Sequence, residues 1–366
     1  MRRALPVDKS LLLLIVALVV AGGLIFASAV FGLLARGGLN MSAVALKQAI
    51  WIGAGGIALL IASHINYKLW RRLAPYLFVA ALLLTAAVFI PQLGFEHGGG
   101  RRWLTIAGFT VQPAEFLKAG AIILAAAYFA TIRSRIGHIG WGLGGLALIL
   151  LGPIAVLLLQ PDLGTLGVVV AAVGAIYFAA GAPWRDIALV IIAGVLALGA
   201  FTSFNEYAHD RMQTFFNPSQ APQAEGYQIR QSLIAVGSGG LIGRGFGQSV
   251  QKFTYLPEPM GDSIFAVAAE EFGFVGSVAL IGVFLALALR GFSVAARAPD
   301  AFGGLLAVGI STYLVAEAFI NIASMLGVAP LTGIPLTFIS QGGSAMLASL
   351  GTAGILLSVS RHAKKS

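Results

Sequence analysis

The stretch from Leu11 to Leu34 reads LLLLIVALVVAGGLIFASAVFGLL and contains no charged residue. A run of this length is long enough to cross a bilayer core of about 30 Å as an α-helix. Similar runs of roughly 20 residues recur from one end of the chain to the other. They predict ten membrane spans, at about 11–34, 43–63, 74–92, 112–131, 140–159, 164–182, 186–204, 263–289, 303–326 and 337–359.

The composition of the whole chain is that of a membrane protein. Of its 366 residues, 58% are hydrophobic and 10% are charged, whereas about a quarter of a soluble domain is charged. The apolar runs lack the alternation of a membrane barrel, and backbone polar groups must be satisfied inside lipid, so the spans are helices. We therefore expect an all-α polytopic membrane protein, with residues 1–366 forming a single domain.

The first span raises the question of processing. Ala27-Ser28-Ala29 resembles a signal-peptidase site, but the apolar core is too long for an ordinary signal peptide and more spans follow. We expect this helix to be retained. The absence of cysteine excludes disulfides and thiolate metal sites. The five histidines are scattered, without the spacing of metal ligands, which argues against a zinc site.

The formal net charge is +9, and basic and acidic residues are distributed differently between the loops on the two sides of the membrane. If the N-terminus is cytoplasmic, basic residues concentrate in the short cytoplasmic loops, which is the positive-inside pattern. Among the acids only Asp8, Asp186 and Asp300 fall on that side. We therefore expect both termini to be cytoplasmic and the polar chemistry to face outward. The positive charge then reflects membrane topology, and nucleic acid is not an expected partner.

One connection is much longer than the others. It runs from about residue 205 to 261, between the seventh and eighth spans, and mixes polar residues with Gly and Pro. A loop of this length in a compact bundle is usually functional. Its glycine-rich part, Gly237–Gly247, lacks the spacing of a dinucleotide fingerprint and has no preceding strand. We interpret it as partly ordered or re-entrant, with glycines that permit tight turns or the close approach of a lipid headgroup.

The long loop ends in Leu256–Gly276, LPEPMGDSIFAVAAEEFGFVG, where polar residues meet an apolar helix. A carboxylate at the point where a loop enters the membrane is costly to keep. It is by default a functional candidate. Asp262 lies at this junction and is our candidate for the catalytic residue.

A second polar cluster lies in the loop between the third and fourth spans. It contains Arg101, Arg102 and Trp103, followed by Glu115 and Lys118. Glu115 and Lys118 are three residues apart, so they share one helix face and can neutralise each other. The pair is either a structural ion pair or one that also orients a substrate phosphate or the catalytic acid.

Two further features carry acids or amides near the membrane. In Gln160–Thr165, QPDLGT, Asp162 is either a turn former or a partner for Lys118 or an arginine. Glu317 and Asn321 are four residues apart in the ninth span. They either form a polar stripe that faces a cavity or make hydrogen bonds between helices, and the spacing fits both interpretations equally well.

The segment Pro330–Ser344, PLTGIPLTFISQGGS, interrupts an apolar region with two prolines, three glycines and five hydroxyl or amide side chains. Irregular polar backbone at membrane depth is tolerated where it lines a cavity or is covered by protein. Packing of helices through small residues explains its glycines but not the whole string. Ser340 and Ser344 are therefore candidate site residues.

Taken in order, these strings resemble one family. They are GRRW, QPAE-x-x-K, QPDLGT, YQIRQSLIAVGSGGLIGRGFGQSVQK, LPE-x-x-x-D-x-IFAVAAEE-x-G and TGIPLTFISQGGS. The chain resembles the SEDS family (shape, elongation, division and sporulation), whose members include FtsW and RodA. The pairing of Gln251-Lys252 with Tyr255–Glu258, and the YQ-x-x-QSL segment, favour the FtsW branch.

The chain departs from the family pattern at several positions. Where the family usually reads D-F-IFA, this chain has Asp262 followed by Ser263, and its QPAE replaces QPSE. The usual S-Y-GGSS is Ser340, Gln341, two glycines, a serine and Ala345 here. Two aromatic positions of the pattern are thus polar, which bears on the shape of the site and on the exact substrate.

The resemblance implies a peptidoglycan glycosyltransferase that polymerises lipid II on the outer face of the bacterial cytoplasmic membrane during division or elongation. It implies that Asp262 is the general base for the acceptor's C4 hydroxyl, a step that contributes roughly a hundred- to ten-thousand-fold. One direct displacement would invert the anomeric carbon. Cations would stabilise the leaving diphosphate. The candidate cations are Arg101, Arg102, Lys118, Arg211 and Lys252.

The resemblance also bears on cofactors and partners. A divalent cation, Mg or Mn, could bridge the diphosphate, with Glu115, Asp162 and Glu258 as supports. The implied partner is a class B penicillin-binding protein, a single-span transpeptidase, together with other divisome or elongasome membrane proteins. Small residues near the ninth span, such as Gly303, Gly304 and Gly309, either receive a partner helix or serve packing within the chain.

Two other classes of function compete with the polymerase. A lipid II flippase would also have many spans, broken polar helices and intramembrane charges. Against it, the acids concentrate on one side of the membrane, and we find no inverted repeat in the sequence. A non-catalytic scaffold for division proteins would tolerate neutralisation of Asp262 and Lys118, which is hard to reconcile with ionisable groups kept at membrane depth.

Overall fold

The computed structural model describes residues 7–32, 41–97, 100–106, 109–217 and 223–364. Within these ranges the chain forms a helical bundle with one small sheet. The helices are α1 (Lys9–Val30), α2 (Met41–His64), α3 (Tyr67–Ala86), α4 (Ala114–Thr131), α5 (Leu143–Leu159), α6 (Leu163–Ala179), α7 (Trp184–Phe204), α8 (Glu206–Phe216), α9 (Gln223–Ser238), α10 (Gln251–Thr254), α11 (Ile264–Ala296), α12 (Ala301–Met325) and α13 (Gly343–His362). The strands are β1 (Gly94–His97), β2 (Gly100–Ile106) and β3 (Phe109–Val111).

The apolar helices coincide with the predicted spans. In the described ranges, 8 helices are long and apolar enough to cross a membrane, namely α1 to α4, α7 and α11 to α13. Helices α5 and α6 are apolar and have 17 residues each, a length of about 26 Å. The prediction of a helical polytopic membrane protein is confirmed.

Several span boundaries differ from the prediction by six or seven residues, namely both ends of α3, the end of α11 and the start of α13. Helix α3 begins at Tyr67 rather than near residue 74, because Asn66 caps it by accepting a hydrogen bond from the Lys68 amide at 3.0 Å. Its first turns are basic, so hydropathy alone does not show them. Helix α13 begins at Gly343 rather than near residue 337, because the backbone of 330–342 is irregular.

Helix α12 lies at the centre of the bundle, in contact with α4, α6, α11 and α13. Gly309 shows how closely the helices approach there. A Cβ at this position would lie 2.5 Å from Ile176 Cδ1 on α6 and 2.8 Å from Ile122 Cγ2 on α4. A Cβ on Gly303 would likewise lie 3.1 Å from the ring of Tyr67. These glycines pack against their own chain, so they do not form a surface for a partner helix.

Both ends of the described chain meet at one end of the bundle, which we call the basic end. Asp8 forms ion pairs with Arg290 at 2.8 Å and Arg297 at 3.4 Å. The Lys364 amide donates to the Arg297 carbonyl at 2.9 Å. Burial opposes ionisation of Asp8, but hydrogen bonds from Arg290 and the Leu11 amide hold its pKa below its usual value. The ion pairs thus join the start of α1 to the end of α11.

The connection between α3 and α4 contains a small antiparallel sheet in the order β1-β2-β3, which the all-α prediction missed. Leu104, at the centre of β2, pairs with Gly94 on one side and Val111 on the other. Because successive side chains in a strand point to opposite faces, Arg101 is exposed and Arg102 is buried. The sheet thus places the two neighbouring candidate arginines on opposite faces.

Helix α11 is broken at Gly273, which has φ +66° and ψ −164°. The glycine-rich part of the long loop fills the break, and the Phe274 amide donates to the Gly240 carbonyl at 2.8 Å. A Cβ on Gly273 would clash with the backbone nitrogen of Gly243. The glycines of the loop therefore permit a close approach between two backbones at the break in the helix that follows Asp262.

Candidate active site

Asp262 lies at the end of the bundle opposite the basic end. Helix α12 starts at Ala301, next to the basic end, and the Asn321 side chain near its other end donates to the Asp262 carbonyl at 2.8 Å. With a rise of 1.5 Å per residue, Asn321 is about 30 Å along the helix from Ala301, which is about the thickness of a bilayer core. We call this end of the bundle the polar end.

The loop before Asp262 is held by the irregular segment 330–342. The Ser340 hydroxyl donates to the Gly261 carbonyl at 2.7 Å. The Gln341 amide donates to the Met260 carbonyl at 2.7 Å. Ser340, a predicted site residue, therefore contacts the backbone beside Asp262. The segment between α12 and α13 acts as a support for the loop that carries the acid.

The Asp262 carboxyl is partly buried, and its Oδ1 has no hydrogen-bond partner among the described residues. Burial raises the pKa of Asp262 to about 6, and the nearby Glu258 carboxylate adds to the rise. A hydrogen bond from Gln228 and the charge of Arg211 oppose it. Gln228 also donates to the Ser263 hydroxyl at 3.0 Å. A carboxyl with this pKa is ionised at neutral pH and still basic enough to accept a proton.

Lys118 lies in a buried ion cluster between α4 and α12. Its ammonium is 2.9 Å from carboxylate oxygens of both Glu115 and Glu317, and the three side chains are at most 1% exposed. The expected neutralisation between Glu115 and Lys118 is present, with Glu317 as a second acid. Two carboxylates around one ammonium leave the cluster formally negative. This geometry favours the structural alternative for Lys118 over contact with a phosphate.

Lys252 is also internal, contrary to its predicted role with the diphosphate. Its ammonium lies 2.7 Å from Glu271 Oε1 and donates to Ser28 Oγ and the Gly247 carbonyl, each at 2.8 Å. An ammonium has three hydrogens to donate, and these three acceptors use them all. The side chain is 0% exposed. Lys252 thus joins α10 to α1 and α11, and it is not available to a substrate.

Asp162 serves as the N-cap of α6. Its carboxylate accepts from the Thr165 amide at 3.1 Å, from the Thr165 hydroxyl at 2.9 Å and from the Gln112 side chain at 3.3 Å. These three donors are uncharged, so the expected lysine or arginine partner of Asp162 is not among them. The main-chain amide of Gln112 in turn donates to the Ser344 hydroxyl at 3.0 Å. Asp162 and Ser344 therefore tie together the ends of three helices.

The arginines of β2 have different surroundings. Arg102 turns inward and donates to the carbonyls of Gln160 and Pro161, at 3.1 and 2.5 Å. Arg101 is exposed, and Trp103 is half-buried. Arg102 therefore attaches the sheet to the turn before α6. Arg101 lies on the solvent-exposed surface, where a lipid headgroup can reach it.

The acids expected to support a divalent cation are not brought together. Glu115 is paired with Lys118, Asp162 caps α6, and Glu258 is exposed in the loop before Asp262. In the part of the chain that the structure describes, no three His, Asp or Glu side chains are grouped so that they could hold a metal ion. These residues do not fit a preformed Mg or Mn site, and that expectation stays a prediction.

The family of the chain follows from comparison with known proteins. The family model FTSW_RODA_SPOVE, described as "Cell cycle protein", matches residues 9–365. The chain belongs to the SEDS family. The resemblance inferred from the sequence motifs is thereby confirmed over nearly the whole chain.

Curated relatives of this SEDS protein are similar over most of their length. Stage V sporulation protein E of Bacillus subtilis (strain 168) is 37% identical over 323 residues, which are 87% of this chain and 87% of that protein. A probable peptidoglycan glycosyltransferase FtsW of Trichlorobacter lovleyi is 36% identical over 361 residues, 98% of this chain and 94% of that protein.

Solved structures share the fold. A chain from a structure described as "Structural coordination of polymerization and crosslinking by a peptidoglycan synthase complex" has a TM-score of 0.81 and 28% identity, covering 97% of this chain and 98% of that chain. Rod shape determining protein RodA of Thermus thermophilus has a TM-score of 0.71 and 27% identity, with 98% of each chain covered. The arrangement of helices is therefore that of the SEDS fold.

Several residues of the polar end were not predicted as site residues. In the sequence, Gln228 stands out only as part of the YQ-x-x-QSL string, and Asn321 only as part of a polar stripe. Glu270 accepts from the Ser249 hydroxyl at 2.6 Å and from the Val250 amide at 3.1 Å, and so caps α10. Polar residues in an apolar helix were the available signal, but their partners lie too far along the sequence for spacing to reveal them.

Proposed function

We propose that this SEDS protein is a peptidoglycan glycosyltransferase of the FtsW branch that polymerises lipid II at the outer face of the cytoplasmic membrane. Family membership and the FtsW relative support the reaction. The observation that carries the mechanism is the Asp262 carboxyl, whose buried Oδ1 has no hydrogen-bond partner among the described residues and whose pKa is raised to about 6. Three separate parts of the chain hold the loop around Asp262 at the polar end: Asn321 donates to the Asp262 main-chain carbonyl, Ser340 to the Gly261 carbonyl, and Gln228 to the Ser263 hydroxyl.

In this mechanism Asp262 acts as the general base. The C4 hydroxyl of the acceptor sugar donates its hydrogen bond to Oδ1, which lacks a partner within the described chain. As the hydroxyl oxygen attacks the anomeric carbon of the donor, its proton passes to the carboxylate. The bond between the anomeric carbon and the diphosphate oxygen breaks in the same step. One displacement inverts the configuration without a covalent sugar-enzyme intermediate.

The leaving diphosphate gains negative charge and needs positive charge nearby. Of the five predicted cations, Lys118 and Lys252 are buried among carboxylates, and Arg102 is turned toward main-chain carbonyls. Arg211 lies near enough to Asp262 to lower its pKa, and Arg101 is exposed. We assign the diphosphate to Arg101 and Arg211.

The proposed orientation follows from charge. Arg290, Arg297 and Lys364 lie at the basic end, where the positive-inside pattern predicts the cytoplasm. Asp262, about 30 Å away along α12, then faces the outer side. Lipid II would present its headgroup there while its polyprenyl chain remains in the outer leaflet.

A class B penicillin-binding protein is the proposed partner, within a larger divisome or elongasome assembly. Support comes from the similar chain in a peptidoglycan synthase complex that coordinates polymerization and crosslinking. Copurification of the transpeptidase with this protein would test the pairing. Polymerisation by the purified protein alone, at the rate of the complex, would argue against activation by the partner.

The test of function is the length distribution of glycan made from lipid II by the purified protein with its partner. We expect the parent to make polymer and Asp262→Asn to make none, with Asp210→Asn as a matched control. Asp210 is exposed on α8 in the same loop, so its substitution should leave polymerisation unchanged. Normal polymerisation by folded Asp262→Asn would refute the assignment of the base.

The same preparation separates the polymerase from the competing functions. A flippase would move labelled lipid II across liposomes and leave it monomeric. A scaffold would do neither, and its cells would tolerate Asp262→Asn. Polymer formed in detergent, where no second leaflet exists, would exclude both alternatives as the primary activity.

A further inference from the structure

Arg244 is an exposed arginine in the glycine-rich part of the long loop. Its side chain is 43% exposed. Gly243 and Gly245, on either side of it, have φ +82° and +104°, so the chain turns sharply at both positions. The main-chain amides of Arg244 and Gly245 donate to the Glu270 and Glu271 carbonyls, each at 3.0 Å. The backbone that carries Arg244 is therefore held against the first part of α11.

The charge of Arg244 is only loosely paired within the chain. Its Nε lies 3.4 Å from Glu270 Oε1, beyond the usual length of a hydrogen bond between nitrogen and oxygen. The Glu270 carboxylate already accepts from the Ser249 hydroxyl at 2.6 Å and from two main-chain amides at 3.1 and 3.2 Å. The next acid, Glu271, is buried and paired with Lys252 at 2.7 Å. The exposed guanidinium of Arg244 therefore has donors left for an external anion.

Arg244 lies at the depth of lipid headgroups. The part of α11 after its break, residues 274–296, is about 34 Å long at 1.5 Å per residue, slightly more than a bilayer core of about 30 Å. Its far end adjoins the basic end, so the break at Gly273 lies at the opposite boundary of the core. Ile242 and Phe246, on either side of Arg244 in the loop, are 83% and 50% exposed. An arginine between exposed apolar side chains at this level fits the phosphate and the chain of a lipid.

Two lipid diphosphates take part in the proposed polymerisation, on which this inference rests. The diphosphate of the donor leaves, whereas the acceptor keeps its own. Two sugar rings separate that retained diphosphate from the C4 hydroxyl that Asp262 deprotonates. Glu270, which contacts Arg244, lies about 12 Å beyond Asp262 along α11 at 1.5 Å per residue. This separation suits the retained diphosphate better than the leaving one, which must lie next to the reacting carbon.

We propose that Arg244 binds the diphosphate that the acceptor lipid retains, with Ile242 and Phe246 against its polyprenyl chain. A guanidinium donates two parallel hydrogen bonds to phosphate oxygens. Its position in a loop fixed to α11 sets the distance between the acceptor's diphosphate and the base. The site is thus separate from Arg101 and Arg211, which are assigned to the leaving diphosphate.

The test uses substrates that can play only one part in the reaction. The donor is lipid II without its C4 hydroxyl, so it cannot act as an acceptor. One acceptor has a methylene group in place of the oxygen between the anomeric carbon and the diphosphate, so it cannot act as a donor. A second acceptor carries the same disaccharide and peptide on an uncharged polyprenyl glycoside without phosphate. The readout is the tetrasaccharide made by the protein with its partner, as KM and kcat for each acceptor.

Arg244→Gln should raise the KM of the diphosphate acceptor about ten- to a hundredfold, the range expected for hydrogen bonds to a charged group. The KM of the phosphate-free acceptor should not change, nor should kcat with either acceptor. Arg244→Lys keeps the charge without the paired donors and should lie between the parent and Arg244→Gln. Lys47→Gln is the matched control and should leave both KM values unchanged. Lys47 is exposed near the start of α2, where Gln48 contacts the Ser340 carbonyl of the polar end.

Three results would overturn the proposal. An unchanged KM of the diphosphate acceptor in Arg244→Gln would show that Arg244 does not bind it. A raised KM of the donor alone would place Arg244 at the leaving diphosphate. A defect of equal size with both acceptors, together with a lower unfolding temperature, would show that the pair with Glu270 is structural. Failure of the parent to polymerise unmodified lipid II would instead refute the proposed function itself.

Discussion

The side-chain amide of Asn321 donates to the main-chain carbonyl of Asp262 at 2.8 Å, and the same nitrogen donates to the Ile334 carbonyl at 2.8 Å. One residue of a central helix therefore binds both irregular segments of the polar end. Glu317, one turn earlier on α12, belongs to the buried cluster around Lys118. The acid, its support and the ion cluster thus share one face of α12, and displacement of this helix would move all three.

Asn321→Leu should remove polymerisation while the protein still folds. Two carbonyls lose their donor, at a cost of roughly 1–3 kcal/mol for each that stays buried and unpaired. Displacement of the acid by about 1 Å can lower a rate about a hundredfold. Polymerisation rate and thermal unfolding would be measured together. Ser324→Ala is the control, because the Ser324 hydroxyl bonds the Ile320 carbonyl of its own helix; a parent-like rate in Asn321→Leu would contradict the prediction.

The sequence predicted the apolar helices well, because hydropathy and length are local properties. The predicted span boundaries were wrong where polar residues form part of a helix, as in the basic first turns of α3. The break of α11 at Gly273 was not predicted, since the eighth apolar run continues through it without interruption. Only the glycine-rich segment that fills the break reveals its cause, and this segment is distant in sequence.

Gly273→Ala should destabilise the polar end and abolish polymerisation. Gly273 has φ +66° and ψ −164°, a backbone conformation that essentially only glycine adopts and that costs a residue with a Cβ roughly 1–3 kcal/mol. The added atom would also clash with the Gly243 nitrogen. Gly282→Ala is the matched control, because Gly282 lies in the same helix and a Cβ added there would meet no atom within 4 Å. An alanine there should be neutral or stabilise the helix by up to about 1 kcal/mol. Equal behaviour of the two variants in thermal unfolding would show that the break is dispensable.

Whether the contacts of a site residue could be predicted depended on how far away its partners lie along the chain. The contact between Glu115 and Lys118 was predicted, because three residues in a helix fix their relation. The role of Lys252 was not, because its partners Ser28 and Glu271 lie 224 and 19 residues away. A basic residue in a polar loop looks like a ligand for phosphate until its internal acids are known.

Lys252→Met should destabilise the protein by roughly 3–5 kcal/mol, because Glu271 then stays buried without its cation. The double variant Lys252→Met with Glu271→Gln removes both charges and should recover most of the lost stability. Thermal unfolding and polymerisation would be compared in both variants. If Lys252 is internal, activity returns with stability in the double variant. A stable but inactive double variant would instead support the original prediction that Lys252 contacts the diphosphate.

Asp262→Asn should make the protein more stable at high pH while it removes activity. The pKa of Asp262 is about 6 in the folded chain against an ordinary value of 3.8, so the native state binds this proton more tightly than the unfolded chain does. The carboxyl therefore lowers the free energy of unfolding as the pH rises from about 4 to above 6. An asparagine cannot ionise and so does not lose this stability, which is of the order of 3 kcal/mol for a carboxyl whose pKa rises from 3.8 to about 6. The variant should thus unfold at nearly the same temperature as the parent at pH 4 and at a higher temperature at pH 8.

Asp210→Asn is the control, at an exposed position, and its unfolding temperature should follow that of the parent at both pH values. If the unfolding temperatures of Asp262→Asn and the parent change in parallel with pH, the Asp262 carboxyl is solvated rather than held for catalysis.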